Sequence, residues 1–243
     1  MIVLSVGMPR AGSGWHYNLI HDLMKTTGCA DAQDIREKYN LQKILTEVNC
    51  NIGVLSARRL GLVTVPALMG NTFVIKAHAG PTNASRLLAF LGVLRITYIY
   101  RDPRDAMLSA FDYGQRALEK GRPNAFSHLS DFEKSVSFMM EYTRIWERWM
   151  GEKNVLIARY EDLLTNYDVE FARLVKHLKL DETRPEVRAV VEQYRPGAND
   201  EQQGLHFYKG KIGRFREYYT NEQKKVLSMK LAGYLEHMGY DTV

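Results

Sequence analysis

Continuous apolar runs alternate with helix-period segments along this chain. Four short runs are rich in β-branched and apolar residues: Ile2–Val6, Thr72–Ile75, Arg95–Tyr100 and Asn154–Ala158. None of them alternates strictly between apolar and polar positions, which is typical of strands buried on both faces of a parallel sheet. The pattern therefore predicts four strands of one central parallel sheet.

The segments between these runs carry helix signals. Pro103 stands where a first-turn proline belongs, ahead of a helix over Arg104–Lys120. Ser130 and Glu133 have the spacing of a capping box, at the start of a long helix to about Trp149. The other predicted helices are Gly14–Thr27, Ala84–Leu91, Glu161–Leu178, Pro185–Tyr194 and a last helix after the capping-box pair Thr220 and Gln223. Alternating strands and helices with long crossovers predict an α/β fold built from βαβ units.

One domain is the simplest division of the chain. A length of 243 residues suits one large domain or two small ones. The sequence has no internal repeat, low-complexity tract or long linker, so we expect one domain over residues 1–243, with helical insertions at about 30–70 and 110–150. A hydrophobic content of 45% with 25% charged residues excludes a disordered or fibrous chain.

Charge and cysteine usage narrow the class of protein. Lys and Arg number 33 against 28 Asp and Glu, and this formal charge of +5 suits a polyanionic small molecule as well as nucleic acid. Two cysteines, Cys29 and Cys50, argue against a disulfide framework or a cysteine zinc site and fit a reducing compartment. The first apolar run is too short for a signal segment, and no run reaches the ~18 residues of a membrane span. We expect a soluble, cytoplasmic protein without a membrane partner.

The first strand leads into a glycine-rich loop. The segment VLSVGMPRAGSGWHYNLI holds Gly7, Gly12 and Gly14 between a buried strand and a helix, which directs backbone N–H groups at an anion. The Gly7-x-x-x-x-Gly12 frame matches a Walker A motif, but Ser13 and Gly14 stand where that motif needs Lys and Ser or Thr. Arg10 is the cation of this loop. The loop therefore suits one phosphate or sulfate group without magnesium, and a tight turn without a ligand is the alternative.

This loop resembles that of a known family. Residues Pro9–Trp15 read Pro-Arg-Ala-Gly-Ser-Gly-Trp and resemble the 5′-phosphosulfate-binding loop of the sulfotransferases that use 3′-phosphoadenosine-5′-phosphosulfate (PAPS), which is roughly Pro-Lys-Ser-Gly-Thr-Thr-Trp. Arg10 replaces the family's Lys and keeps the charge in a planar fork, either for transfer or as a clamp on the 5′-phosphate. The resemblance assigns cofactor binding to Arg10, Ala11, Gly12, Ser13, Gly14 and Trp15.

A second anion motif follows the third predicted strand. Arg101 ends that strand and Ser109 lies eight residues later on the helix, so the two side chains can converge on one phosphate. The family's 3′-phosphate motif has this spacing, and the resemblance assigns Arg101 and Ser109 to it. A capped turn is the alternative, and we expect Asp102, Arg104 and Asp105 to form ion pairs at the surface.

Two further elements match the family in order. The C-terminal stretch FYKGKIGRFREYYT resembles the family's glycine-bearing loop over the 3′-phosphate, which assigns Lys209 and the Gly210 backbone. Two of its positions differ from the family's Arg and Asp, and a solvated basic surface is the alternative. Tyr160, in Tyr-Glu-Asp-Leu, resembles the family's element beside the adenine, and core packing is the alternative for Tyr160 and for Trp15.

The candidate base lies at the end of the second predicted strand. None of the seven histidines has zinc-ligand spacing, so we expect no metal site. His78 follows a buried strand, where α/β proteins hold their ligands, and lies two residues after Lys76. Lys76-Ala77-His78 resembles the family's Lys-Thr-His element, which assigns His78 as general base and Lys76 as a cation near the sulfuryl group. A structural histidine at a strand end is the alternative.

Together these elements predict a single P-loop-like α/β domain with a central parallel sheet flanked by helices. The resemblance implies a PAPS-dependent sulfotransferase in which His78 deprotonates a hydroxyl, or an amine, of a small-molecule acceptor. Transfer would be in line and free of metal, with Arg10 and Lys76 stabilising the leaving phosphate. The alternative is a P-loop-like nucleotide kinase, or a nucleotide-binding protein without this activity. Cations clustered in short glycine-bearing loops argue against a nucleic-acid partner.

The acceptor pocket is expected where inserted segments flank the proposed base and the phosphate motifs. These segments are Val48–Gly70, Tyr113–Ser130 and Pro196–Tyr208. Four aromatic residues are candidates for its walls or for ordinary core: Phe111, Tyr113, Phe126 and Phe207. Neither the acceptor nor the oligomeric state follows from the sequence.

Overall fold

The four predicted strands form one parallel sheet. A computed structural model describes residues 1–197 and 211–242. In it β1 (Ile2–Gly7), β2 (Phe73–Ala77), β3 (Leu94–Tyr100) and β4 (Val155–Arg159) pair in the order β2-β1-β3-β4, all parallel. Each strand lies within two residues of its predicted bounds. The predicted α/β fold with a central parallel sheet flanked by helices is confirmed.

Helices fill the connections between the strands. In chain order they are α1 (Ser13–Lys25), α2 (Ala32–Lys38), α3 (Ala57–Leu68), α4 (Asn83–Phe90), α5 (Pro103–Glu119), α6 (Phe132–Met150), α7 (Tyr160–Thr165), α8 (Tyr167–Leu178), α9 (Pro185–Tyr194), α10 (Phe215–Tyr218) and α11 (Asn221–Met238). One turn of 3-10 helix spans Val48–Cys50. Within residues 1–197 and 211–242, no helix is both long enough and apolar enough to cross a membrane.

The sheet is buried on both sides because successive residues of β1 belong to different cores. Ile2, Leu4 and Val6 pack in one apolar cluster with residues of α3, α5, α6 and α11. Val3 packs in a second cluster with residues of α1, α8 and α9. Burial of one such side chain stabilises the fold by about 2 kcal/mol. The continuous apolar run in the sequence reflects this two-sided burial.

Two predicted helix boundaries are wrong. One helix over Glu161–Leu178 was expected, but the chain leaves the helical region at Asn166, where φ is −128° and ψ is 41°, so α7 and α8 are separate. The side chain of Asp131, not Ser130, caps α6 by accepting from the Lys134 N–H at 2.9 Å. Both residue types make good caps, so spacing alone does not separate neighbouring positions. The capping box predicted ahead of the last helix is confirmed.

The topology brings distant motifs to one edge of the sheet. Since all four strands are parallel, their carboxyl ends meet there, and α/β proteins bind ligands at this edge. β1 lies between β2 and β3, with Val6 in register with Ala77 and with Tyr98. The glycine-rich loop, His78 and Arg101 therefore emerge side by side although the sequence separates them widely.

Candidate active site

A cavity of about 570 Å³ opens at the carboxyl edge of the sheet. The predicted site residues on its wall are Arg10, Gly12, Ser13, Gly14, Trp15, Lys76, His78, Arg101, Ser109 and Tyr160. Ala11 does not reach the wall, because its side chain is buried in the core and its N–H donates to the Met8 carbonyl at 3.2 Å. Lys209 and Gly210 lie outside the described residues. Motifs from four separate stretches of sequence thus share one cavity. The ten predicted residues that line it, from Arg10 to Tyr160 as named above, are called the motif wall below.

The loop after β1 is built around Gly12. This residue caps α1 with a φ of 77°, a left-handed conformation that favours glycine. A Cβ at Gly12 would lie 2.6 Å from the Tyr160 ring, so a side chain there would push against the ring. The first-turn N–H groups of α1 have no acceptor within the helix, and the helix dipole is positive at this end. This part of the cavity therefore suits an anion.

Arg10 reaches from this loop to α5. Its Nε donates to Ser109 Oγ at 3.3 Å, and its guanidinium carbon lies 4.4 Å from the centre of the Tyr113 ring. Burial lowers the pKa of Arg10, and the charges of Arg116 and Arg101 act in the same direction. An anion bound in the cavity would offset the repulsion between these positively charged side chains.

His78 offers one defined nitrogen as a proton acceptor. Its Nδ1 lies 2.6 Å from the Gly7 carbonyl oxygen, which can only accept, so Nδ1 carries the proton and Nε2 holds the lone pair in the neutral ring. Burial, followed by the charge of Lys76, lowers the pKa of His78 to about 4. At pH 7 the ring is therefore neutral, and Nε2 is the nitrogen that can act as a base.

Lys76 is a nearly buried cation beside this histidine. It lies on β2 in register with Ser5 of β1 and is 7% exposed. Burial, followed by the charge of Arg10, lowers the pKa of Lys76 to about 8. The ammonium is thus mostly charged at pH 7 but poorly hydrated, and a negative group in the cavity would stabilise it.

Arg101 is buried directly after β3 in a fixed orientation. Its Nη2 donates to Asp105 Oδ2 at 3.2 Å and to the Lys211 carbonyl oxygen at 2.7 Å. Its guanidinium carbon lies 4.7 Å from the centre of the Tyr160 ring. In the described part of the chain its buried Nε has no partner. A buried donor without a partner is costly, and Arg101 lines the cavity, so this guanidinium suits a ligand rich in acceptors, such as phosphate.

The expected surface ion pairs in the turn after Arg101 are wrong. Arg104 does pair with Asp102, at 2.8 Å, but both are buried, with exposures of 1% and 5%. Asp105 pairs with Arg101 instead of Arg104 and is also buried. The reason is that Phe215, far along the chain, covers the turn with its ring 4.0 Å from the Arg104 guanidinium carbon.

Tyr160 and Trp15 belong to the core and to the cavity wall at once. Tyr160 is 4% exposed and Trp15 6% exposed, and both pack in the cluster around Val3. The Trp15 Nε1 donor is buried and has no partner among the described residues. Core packing and a place on the cavity wall therefore coexist at these two positions.

Two cations of the cavity come from the basic stretch FYKGKIGRFREYYT near the end of the sequence and were not assigned as site residues. Lys211 and Arg214 line the wall. Arg214 donates to Asp112 of α5 at 2.7 Å, which holds it beside the cavity. The signal was present, because both lie in the basic stretch from which the family pattern selected Lys209 and Gly210.

The remaining wall residues come from two inserted loops, which we call the loop wall. Its members are Thr46, Glu47, Val48, Asn49, Asn51, Asn124, Ala125 and Phe126. Tyr113 of α5, also on the wall, meets the Phe126 ring edge-on, with centroids 5.9 Å apart. Of the four predicted aromatic candidates these two face the cavity, Phe111 does not line it, and Phe207 lies outside the described residues.

Gly114 allows the second of these loops to approach α5. A Cβ at Gly114 would lie 2.3 Å from the Phe126 carbonyl oxygen, too close for any side chain. Asn124 Nδ2 donates to the Tyr113 carbonyl at 3.2 Å, and Ser127 Oγ donates to the Gly114 carbonyl at 3.3 Å. These contacts fix Asn124, Ala125 and Phe126 on the wall.

The chemistry of the wall favours an anionic ligand. Its described residues include five cationic side chains and a single carboxylate, Glu47. In residues 1–197 and 211–242, no group of three or more His, Cys, Asp and Glu side chains is placed to hold a metal ion. Arg101 and Trp15 both line this cavity, and each carries a buried donor without a partner in the described residues, Nε and Nε1.

Two curated proteins are similar in sequence to part of this chain. The chain is 23% identical to "Amine sulfotransferase" of Oryctolagus cuniculus over 153 residues, which is 54% of this chain and 51% of that protein. It is 25% identical to "Sulfotransferase 6B1" of Danio rerio over 196 residues, 72% of this chain and 63% of that protein. The matched part of this chain thus spans between half and two thirds of the length of these curated relatives.

Solved structures share the fold. A retinol dehydratase in complex with androsterone and inactive cofactor PAP superimposes with a TM-score of 0.59 and 19% identity, over 96% of this chain and 80% of that one. A mouse sulfotransferase complexed with PAP gives 0.56 and 16%, over 97% and 84%. The sequence pattern of the sulfotransferase domain family matches residues 2–239, nearly the whole chain. The protein therefore belongs to the sulfotransferase domain family.

Proposed function

We propose that this protein transfers a sulfuryl group from PAPS to a hydroxyl or amine of a small-molecule acceptor. The observation that carries the proposal is the placement of His78 Nε2, a neutral and unprotonated nitrogen, at the same cavity as an anion loop and five cations. Family membership and the fold shared with PAP complexes support the same activity.

The cationic parts of the wall suit the two phosphate positions of the nucleotide. The first turn of α1 and Lys76 would hold the 5′-phosphosulfate, by backbone N–H donation and by charge. Arg101 and Ser109, which both line the cavity, would hold the 3′-phosphate by hydrogen bonds that the arginine charge strengthens. Arg10, hydrogen-bonded to Ser109, lies between these groups, which supports a clamping role. Lys209 and Gly210 stay predictions for the same nucleotide.

His78 would remove the proton from the acceptor. The acceptor oxygen or nitrogen attacks sulfur, its proton passes to His78 Nε2, and the bond between sulfur and the 5′-phosphate oxygen breaks. The products are the sulfated acceptor and adenosine 3′,5′-bisphosphate. Negative charge grows on the leaving oxygen, where Lys76 and the α1 N–H groups stabilise it. The polyanionic nucleotide also raises the pKa of His78 from about 4, which makes Nε2 a stronger base when the cofactor is bound.

The acceptor is proposed to be a small organic molecule. The cavity of about 570 Å³ must hold both the nucleotide and the acceptor, which excludes a polymer buried within it. The loop wall places Phe126 and Tyr113 beside the polar groups of Asn49, Asn51 and Asn124, so it suits a ring that carries hydrogen-bonding groups. Androsterone and retinol occupy related proteins, which supports an organic alcohol here.

A nucleotide kinase is the second candidate, because the frame after β1 has Walker A spacing. Against it, Ser13 and Gly14 provide neither the lysine nor the magnesium ligand of that motif. The two candidates separate in one experiment, in which the protein receives PAPS or MgATP together with a panel of phenols and alcohols. A sulfated product in the presence of a chelator supports the proposal. A phosphorylated product that needs magnesium would overturn it.

A further inference from the structure

The buried carboxylate of Asp105 joins two parts of the site that are far apart in the sequence. Its side chain is 0% exposed. Oδ2 accepts from Arg101 Nη2 at 3.2 Å and from the Gly213 N–H at 2.7 Å, while Oδ1 accepts from the Phe215 N–H at 3.0 Å. One carboxylate therefore binds both the arginine after β3 and the backbone of residues 211–215, which we call the C-terminal segment.

The C-terminal segment depends on such contacts for its place. The helix that it enters, α10, has four residues, too few to be stable by itself. The segment nevertheless supplies Lys211 and Arg214 to the cavity wall. The Lys211 carbonyl accepts from the same Arg101 nitrogen that Asp105 binds, at 2.7 Å. Arg101, Asp105 and the segment thus form one closed set of hydrogen bonds.

Asp105 also fixes the orientation of the Arg101 guanidinium at the cavity wall. A guanidinium has five N–H donors in a rigid plane. Nη2 is engaged by Asp105 and the Lys211 carbonyl, and the Tyr160 ring lies against the guanidinium. The buried Nε has no partner in the described residues. Without the carboxylate, only the Lys211 carbonyl and the Tyr160 ring among the described residues would hold the guanidinium, and its ion pair would be lost.

We propose that Asp105 is a positioning residue. It holds Arg101 and the C-terminal segment in the arrangement that binds the 3′-phosphate of the nucleotide. The inference rests on the proposed function, since it assigns the nucleotide's 3′-phosphate to Arg101. Asp105 itself is buried and does not line the cavity. It acts through Arg101, whose orientation it fixes by a charge-assisted hydrogen bond.

The test compares two nucleotides in the variant Asp105→Asn. Adenosine 3′,5′-bisphosphate engages Arg101 through its 3′-phosphate, whereas adenosine 5′-monophosphate lacks that group. The amide is neutral and turns a donor towards Arg101 or an N–H group, so the 3′-phosphate loses its oriented partner. Calorimetry should show about tenfold weaker binding of the bisphosphate, the loss of one hydrogen bond to a charged group, with little change for the monophosphate. The KM for PAPS should rise while kcat at saturating PAPS changes little.

A matched control separates positioning from general destabilisation. Glu170→Gln removes another nearly buried carboxylate, which pairs with Arg173 on α8 away from the cavity. It should lower the unfolding temperature without changing the ratio of the two nucleotide affinities. If Asp105→Asn keeps the wild-type ratio, Asp105 does not position the 3′-phosphate site. If the wild type itself binds neither nucleotide, the proposed function fails instead.

A measurement on the wild type covers the case in which Asp105→Asn does not fold. The amide hydrogens of Gly213 and Phe215 donate to a buried carboxylate, so they should exchange slowly. Adenosine 3′,5′-bisphosphate should slow them further, and adenosine 5′-monophosphate should not. Equal protection by the two nucleotides, or exchange as fast as in an open loop, would overturn the inference.

Discussion

The motif wall and the loop wall of the cavity are built in different ways. The motif wall consists of residues at the strand ends and in the loop or helix that directly follows each strand, so the parallel sheet brings them together. The loop wall consists of residues from two insertions, held by contacts such as that of Gly114 with Phe126. The sheet edge brings the first wall together and contacts such as that of Arg101 with Asp105 refine it, whereas the second wall depends on packing between loops. We therefore expect cofactor chemistry to respond to changes in the motif wall and acceptor choice to changes in the loop wall.

The largest effect is expected at His78, the candidate base of the motif wall. His78→Ala removes the proposed base, and general-base catalysis contributes about 10²–10⁴-fold in rate. Turnover with PAPS should fall by that factor, while calorimetry shows adenosine 3′,5′-bisphosphate binding unchanged. His128→Ala, at an exposed position, is the control. Unimpaired transfer in His78→Ala would move the base to another group, for example the cavity carboxylate Glu47.

The next largest effect isolates the motif wall. Arg101→Ala removes a buried guanidinium whose Nε faces no other acceptor in the described residues. Loss of charge-assisted hydrogen bonds should weaken adenosine 3′,5′-bisphosphate about a hundredfold from a micromolar dissociation constant. Calorimetry should give the same wild-type affinity with magnesium or with a chelator. Arg184→Ala, a partly exposed arginine paired with Glu186, should bind normally. Wild-type affinity in Arg101→Ala would remove this residue from the nucleotide site.

A smaller effect isolates the loop wall. In Gly114→Ala the new Cβ would meet the Phe126 carbonyl at 2.3 Å, so the loop must shift, at about 1–3 kcal/mol in stability. The KM for the acceptor should rise, and nucleotide affinity should not. Gly61→Ala, on α3 with open space around it, should instead stabilise the fold by about 0.5–1 kcal/mol. An equal loss of nucleotide affinity in Gly114→Ala would show that the two walls are not independent.

The effect that matters least to activity at pH 7 concerns acid stability beneath the motif wall. Burial, then the charge of Lys76, lowers the pKa of His16 to about 3, against a usual value near 6.5. Between pH ~6.5 and about 3, His16 therefore binds a proton in the unfolded chain but not in the folded protein. Its stabilising contribution is present above pH ~6.5 and is lost as the pH falls towards 3, by up to about 1.4 kcal/mol per pH unit.

Urea unfolding at several pH values checks this effect. His16→Gln should flatten the loss of unfolding free energy between pH 6.5 and 4 relative to the wild type. His128→Asn should follow the wild-type curve, because that side chain is exposed. Superimposable curves for the wild type and His16→Gln would show that His16 is not the acid-sensitive group.

The contrast between the walls also explains how much the sequence could predict. Strands and motif residues were predictable because Gly12, His78 and Arg101 each follow a continuous apolar run, and parallel strands end at one edge. The burial of Asp105 was not predictable from the sequence, because it depends on Phe215 and Gly213, more than a hundred residues away. Thr46 and Glu47 were missed because no motif marks them and their loop reaches the cavity through a bridge between Asn51 and Lys76, which the sequence pattern does not indicate.

Product analysis with PAPS tests the central claim most directly. Wild-type protein and His78→Ala are each incubated with PAPS, a chelator and a panel of phenols, alcohols and amines, and the products are identified by mass spectrometry. We expect the wild type to form a sulfated acceptor and adenosine 3′,5′-bisphosphate in equal amounts, and His78→Ala to form almost none. Equal product from both proteins, or no sulfated product from the wild type with any acceptor, would contradict a sulfotransferase that uses His78 as its base.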